Sequence, residues 1–212
     1  MREARTSHPH ASEEAALSNL AHIVVGGLFA AVSVLAALEV LGVSSGWWFL
    51  WPGLLLVVGL FVPMFVLWAS RAHGASAGHV LADPQQRQHV VLSGLVFAAG
   101  VGEMLARAQV WPVALRFVWP ITLLVVGYLF TAHTQHGTSD AVARAVRAHR
   151  LLGGTLILAG VARGITVATG PGGGLPSASW IILLFLAAVQ FLIYREPEGA
   201  FAAAEPHGHH GR

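Results

Sequence analysis

The 212-residue chain contains no cysteine. Disulfides, thiolate metal sites, covalently attached c-type haem and a thiol nucleophile are therefore excluded. It contains no lysine either, so its basic side chains are all Arg. A retinal Schiff base, which needs an amine, is excluded with it. Charge of both signs is scarce. Charged residues make up 10% of the chain, against roughly 25% in a soluble domain. The net charge is only +2, so the pI of 9.9 carries no nucleic-acid footprint. There is no H-E-x-x-H, no G-x-S-x-G and no phosphate-binding glycine loop. "GPGGG" at 170–174 has no strand before it, and Asp83 and Asp140 have no partner at ligand spacing. No hydrolase constellation is present, and no other reaction class follows from the residues.

What remains is apolar. Hydrophobic residues reach 55% and the mean hydropathy is +0.66, the composition of an integral membrane protein in a lipid bilayer. A helix crossing a hydrocarbon core of roughly 30 Å needs about 20 apolar residues. Six runs qualify: Leu20–Val43, Trp47–Trp68, His89–Val110, Pro112–Thr131, Arg150–Thr169 and Ser177–Tyr194. The fold predicted is all-α: a polytopic bundle of six transmembrane helices, with a polar tail at 1–19, a membrane domain at 20–195 and a His-rich tail at 196–212. The first span is not an obvious signal peptide, because Glu3, Glu13 and Glu14 precede it. Trp47, Trp48, Trp51, Trp111, Trp119 and Trp180 lie near the outer ends of spans, where an interfacial aromatic belt is expected.

Arg sets the orientation. Arg2, Arg5, Arg71, Arg87, Arg144, Arg147, Arg150, Arg195 and Arg212 fall on the side of the termini, while Arg107, Arg116 and Arg163 belong to the other. The positive-inside rule then places both termini in the cytoplasm. A Lys-free chain rich in Ala, Gly, Val, Leu and Arg suggests a GC-rich bacterial genome, and hence the bacterial inner membrane.

The chain also repeats itself. "AHIVVGGLFAAVS" from Ala21, "QHVVLSGLVFAAG" from Gln88 and "AHRLLGGTLILAG" from Ala148 share a His, a small residue four later and another eleven later. "WPGLLLVVGLF" from Trp51 resembles "WPITLLVVGYLF" from Trp119, with "WIILLFLAAVQF" from Trp180 a weaker third copy. Three helical hairpins follow, with units at about 20–68, 88–132 and 148–195. Each unit crosses twice, so the copies run parallel, related by an axis along the membrane normal. His22, His89 and His149 then all begin outward-running helices. With His133 and His136 in a loop and His207, His209 and His210 in the tail, every His of the chain lies on the cytoplasmic side.

Positions i, i+4 and i+11 share a helix face. His22 therefore lies over Gly26 and Ser33, His89 over Ser93 and Gly100, and His149 over Gly153 and Gly160. Small residues let membrane helices approach closely, and on that reading the His residues are interfacial and the stripes only pack helices in a non-catalytic membrane module or transport component. A second reading is a cofactor site. An imidazole supplies an axial ligand, and a Gly or Ser one turn deeper, such as Gly153 or Ser93, clears room for a macrocycle. In helix count and in this His-small motif the chain resembles the multi-helix membrane b-type cytochromes. That resemblance implies haem b held by His89 and His149, with His22 nearby, and partner proteins for electron transfer. The two-haem members place His near both faces, whereas here the outer face has none. A third reading counts to three: His22, His89 and His149 around a pseudo-threefold axis form a copper or zinc site, with His133 and His136 beside it and metal-handling proteins as partners.

Fourteen residues beyond the motif His, the third span carries Glu103 and the fifth Arg163. Charges inside spans face the bundle interior and pair, so a Glu103–Arg163 clasp is expected about 21 Å from the His level. Glu39 and Arg107 are the next charges there.

Overall fold

The computed structural model describes residues 9–43, 47–72, 76–109, 113–132, 138–170 and 175–200. Among these the chain is helical and contains no strand. Helix α1 spans Pro9–Val40, α2 Leu50–Ala72, the short α3 Ala77–Ala82, α4 Pro84–Arg107, α5 Val118–Thr131, α6 Ser139–Thr169 and α7 Leu175–Ile193. A 3-10 turn at Val113–Phe117 leads into α5. Six of these segments are long and apolar enough to cross a membrane. The protein is a multi-pass membrane helix bundle.

Three helices begin earlier than their apolar runs predict. Helix α4 starts at Pro84, where the Asp83 side chain accepts the Gln86 N–H at 2.9 Å and proline occupies the first turn. Thr138 caps α6 eleven residues before His149. Helix α1 starts at Pro9 instead of Leu20 and takes in much of the polar tail. The extra turns are polar, so hydropathy alone passes them over. They matter because each motif His thereby has a full helical turn in front of it.

Each spanning helix touches two others, in the closed order α1–α2–α4–α5–α6–α7 and back to α1. The most extensive contacts join α5 to α6, α2 to α4 and α1 to α7. The small-residue stripes explain them. A side chain at Gly153 would collide with the Gly127 carbonyl oxygen of α5. One at Gly160 would come within 2.9 Å of the Pro120 carbonyl oxygen, and one at Gly100 within 2.9 Å of that of Pro52 on α2. At Gly26 the obstacle is the Ala188 carbonyl oxygen of α7, again at 2.9 Å. The stripes on α1, α4 and α6 thus seat backbone against backbone. They face a helix outside their own sequence hairpin.

The core runs along the inside of the ring, from Phe29, Phe130 and Phe191 at one end to Trp51, Trp119 and Trp180 at the other. Met64, Tyr128, Leu151, Leu158 and Ile182 are exposed on the outside, where lipid would meet them. Trp51, Trp119 and Trp180 are fully buried, which corrects the expected belt. Each opens an inward-facing stretch of an even span and fills the ring near its end. Only Trp47 and Trp48 of the belt residues are exposed, and Trp111 lies outside the described residues.

Candidate functional site: two polar layers in one ring

At the end where α1 begins and α7 finishes, the rings of His22 and His149 lie 6.3 Å apart. His22 and His89 line one cavity on the ring axis, and His89 is close enough to both other imidazoles to interact with them electrostatically. The three His residues make the same bond. His22 Nδ1 lies 2.7 Å from the Ser18 carbonyl oxygen, His89 Nδ1 2.8 Å from that of Gln85 and His149 Nδ1 2.8 Å from that of Ala145. A carbonyl oxygen can only accept, so Nδ1 carries the hydrogen in each ring. In the neutral imidazole Nε2 is then the electron-pair donor. This fixed tautomer needs the i−4 carbonyl, which the polar first turns of the helices supply.

Aromatic rings hold the layer. Phe130 stacks on His149 at 5.7 Å and 8°, and Tyr194 lies 4.6 Å from His22 and 5.2 Å from His149. Tyr194 belongs to a strap, residues 194–200, that leaves α7 and crosses this end. The strap is tied by Ser18 Oγ donating to Glu196 at 2.6 Å, by the Glu196 N–H donating to Asn19 at 2.8 Å and by the Thr138 N–H donating to Gly199 at 3.1 Å. Tyr194 donates to Glu196 at 3.1 Å. Burial, with the Glu196 carboxylate beside it, pushes the phenol pKa up, so it remains a donor.

The opposite layer is ionic. Arg163 donates to buried Glu103 at 3.1 Å, the clasp expected from the sequence. Arg107 joins Glu39 at 2.8 Å and approaches the other Glu103 oxygen at 3.6 Å. Trp51 donates its indole N–H to Glu39 at 2.6 Å. The Arg163 guanidinium lies 4.9 Å from the Trp180 ring centre, and that of Arg107 4.7 Å from Trp51. Sequence reasoning missed this use of the tryptophans. Its signal was the Trp at matching places in the three even spans, read instead as a membrane-surface marker.

Between the layers lies an axial cavity of about 80 Å³, bordered by residues of all six spanning helices, including Ser93, Thr122 and Trp119. It has room for a few waters and none for a macrocycle. The positions expected to clear space for haem are taken: Gly153 faces the Gly127 backbone, and Ser93 Oγ donates to the His89 carbonyl at 2.7 Å. The axial cavity in this packing therefore does not hold haem b. Among the described residues no three His, Asp or Glu stand close enough together to hold a metal ion. His133, His136 and the tail residues His207, His209 and His210 lie outside the described residues. Compared with protein-family models, curated proteins and solved structures, the chain matches none.

Proposed function

We propose that the protein is a transport-type membrane component that handles a small cation at the His22/His89/His149 layer. A proton is the first candidate and a copper or zinc ion the second. The observation that carries this reading is the common Nδ1–carbonyl bond. It fixes Nδ1 as the hydrogen-bearing nitrogen in all three rings, so that each imidazole, when neutral, carries its electron pair on Nε2. Ionisable residues inside a membrane ring mark ion paths and proton relays. Here they occupy both ends of one axis, with a small cavity between. A proton needs no further ligand. A metal ion requires the imidazoles to draw together, and its delivery would fall to a metal-handling partner protein. The Arg distribution supports a cytoplasmic side for the His end and both termini, and the Lys-free composition supports a bacterial inner membrane.

Purified protein in liposomes, with a pH dye trapped inside and an imposed potential, tests this. Proton entry is expected, with a loss of at least about tenfold in His149→Gln, because an amide cannot relay a proton at neutral pH. The metal variant predicts one copper or zinc per chain, lost in the same variant. A Soret band, or neither proton flux nor stoichiometric metal, would overturn the proposal.

A further inference from the structure

A second cavity, of about 360 Å³, lies at the His end between α6 and α7. Its volume falls in the range of small-ligand sites. Arg144 and Arg195 stand at its rim, and His22 and Gln190 line it deeper. Its outer edge is Leu151 and Ile193, which are 64% and 69% exposed on the lipid-facing surface.

The hydrogen-bond inventory is specific. Thr155 donates its hydroxyl hydrogen to the Leu151 carbonyl at 3.0 Å. Its oxygen therefore accepts from Gln190, whose Nε2 lies 3.0 Å away. That fixes the amide: Gln190 Oε1 is the remaining group, and it is a buried acceptor with no hydrogen-bond partner. An acceptor at depth calls for a ligand that brings a donor. The rim calls for the opposite. Arg195 uses only Nη1, on the carbonyls of Leu192 and Tyr194, and Arg144 only Nη2, on that of Glu198. Both keep N–H donors for an anion. The nearby Glu196 carboxylate is spent on Ser18 and Tyr194 and does not line the cavity.

We infer that this cleft binds an anionic, hydroxyl-bearing phospholipid of the phosphatidylglycerol type. Its phosphate meets Arg144 and Arg195, a head hydroxyl donates to Gln190 Oε1, and its acyl chains run out over Leu151 and Ile193. Basic clefts between spanning helices at a membrane surface are where such head groups bind. The site uses one wall of the His layer but does not depend on what that layer carries.

Native mass spectrometry of the full-length protein from mixed micelles tests it. Phosphatidylglycerol should be retained most, phosphatidic acid (charge without head hydroxyls) less, and phosphatidylcholine least. Arg144→Gln and Arg195→Gln should each weaken phosphatidylglycerol about fivefold. Gln190→Met should cut its preference over phosphatidic acid about fivefold, and thermal unfolding identifies any variant that fails to fold; Gln190→Leu then replaces it. Equal retention of phosphatidylglycerol and phosphatidylcholine overturns the site, as does retention unchanged in the Arg double variant. Phosphatidic acid bound as well as phosphatidylglycerol overturns the hydroxyl assignment. Soluble glycerol phosphate should give no thermal shift; a shift matching the lipid's would mean a soluble ligand and overturn the lipid.

Discussion

The two ends of the ring solve the problem of polar groups in a membrane differently. At the Glu103 end two carboxylates meet two guanidiniums, Glu39 and Glu103 against Arg107 and Arg163, and tryptophan faces cover the cations. Charge is cancelled locally, and the layer is closed. At the His end three imidazoles are tied by Nδ1 to their own helices, and cavities adjoin the layer. A cancelled layer resists change and is suited to holding six helices together. A layer of imidazoles beside two cavities is, on the proposed reading, suited to taking something up. The charges most conspicuous in the sequence are therefore assigned to structure, and the quieter imidazoles to function.

The largest effect expected from breaking this contrast is at Glu103. Glu103→Gln leaves Arg163 unpaired in a buried site, a loss of about 3–5 kcal/mol. Glu103→Gln with Arg163→Met removes both charges and should be better folded than either single change. Thermal unfolding in detergent measures the cycle, and additive losses would show that the two residues do not act as a pair.

Next comes the stripe. Gly153→Leu drives a side chain into the α5 backbone and should cost about 3 kcal/mol. A Cβ at Gly154 meets nothing within 4 Å, and Gly154→Leu should be near neutral. Equal losses at the two positions would remove the close-approach explanation of the stripe.

Sidedness is a sharper test with no expected cost in stability. Single cysteines at Ser12 and Leu175 lie at opposite ends of the bundle. An impermeant thiol reagent on intact cells should label the Leu175 site and spare Ser12. The reverse would put the His layer outside the cell.

At the imidazoles the expected effect on stability is small. His149→Gln keeps a side chain able to donate to a carbonyl, so unfolding should shift by less than about 1 kcal/mol while cation handling is lost. A large destabilisation with flux intact would make His149 a packing residue.

Much of this was legible in the sequence. Apolar runs located all six spans, because a bilayer demands long uninterrupted segments. The matched spacing of Glu103 and Arg163 foretold their contact. Spacing also put the three His residues at one end. The polar first turns of α1, α4 and α6 were not legible from hydropathy, although Asp83-Pro84 carried a capping signal. Nor was the ring: Gly153 shows which face approaches a neighbour but not that the neighbour is α5. The tryptophans misled because indole suits both a membrane surface and a cation's face. Whether Gly153 clears space for a cofactor or for a helix depends on which backbone occupies it, and only the packing decides that.

The central claim is the state of the imidazoles. Nitrogen-15 NMR of the purified protein, with His22, His89 and His149 assigned by single Gln variants, measures it directly at neutral pH. The account predicts three neutral rings protonated at Nδ1, with Nε2 resonating as an unprotonated nitrogen. Rings protonated at Nε2 instead, or cationic at neutral pH, would contradict it.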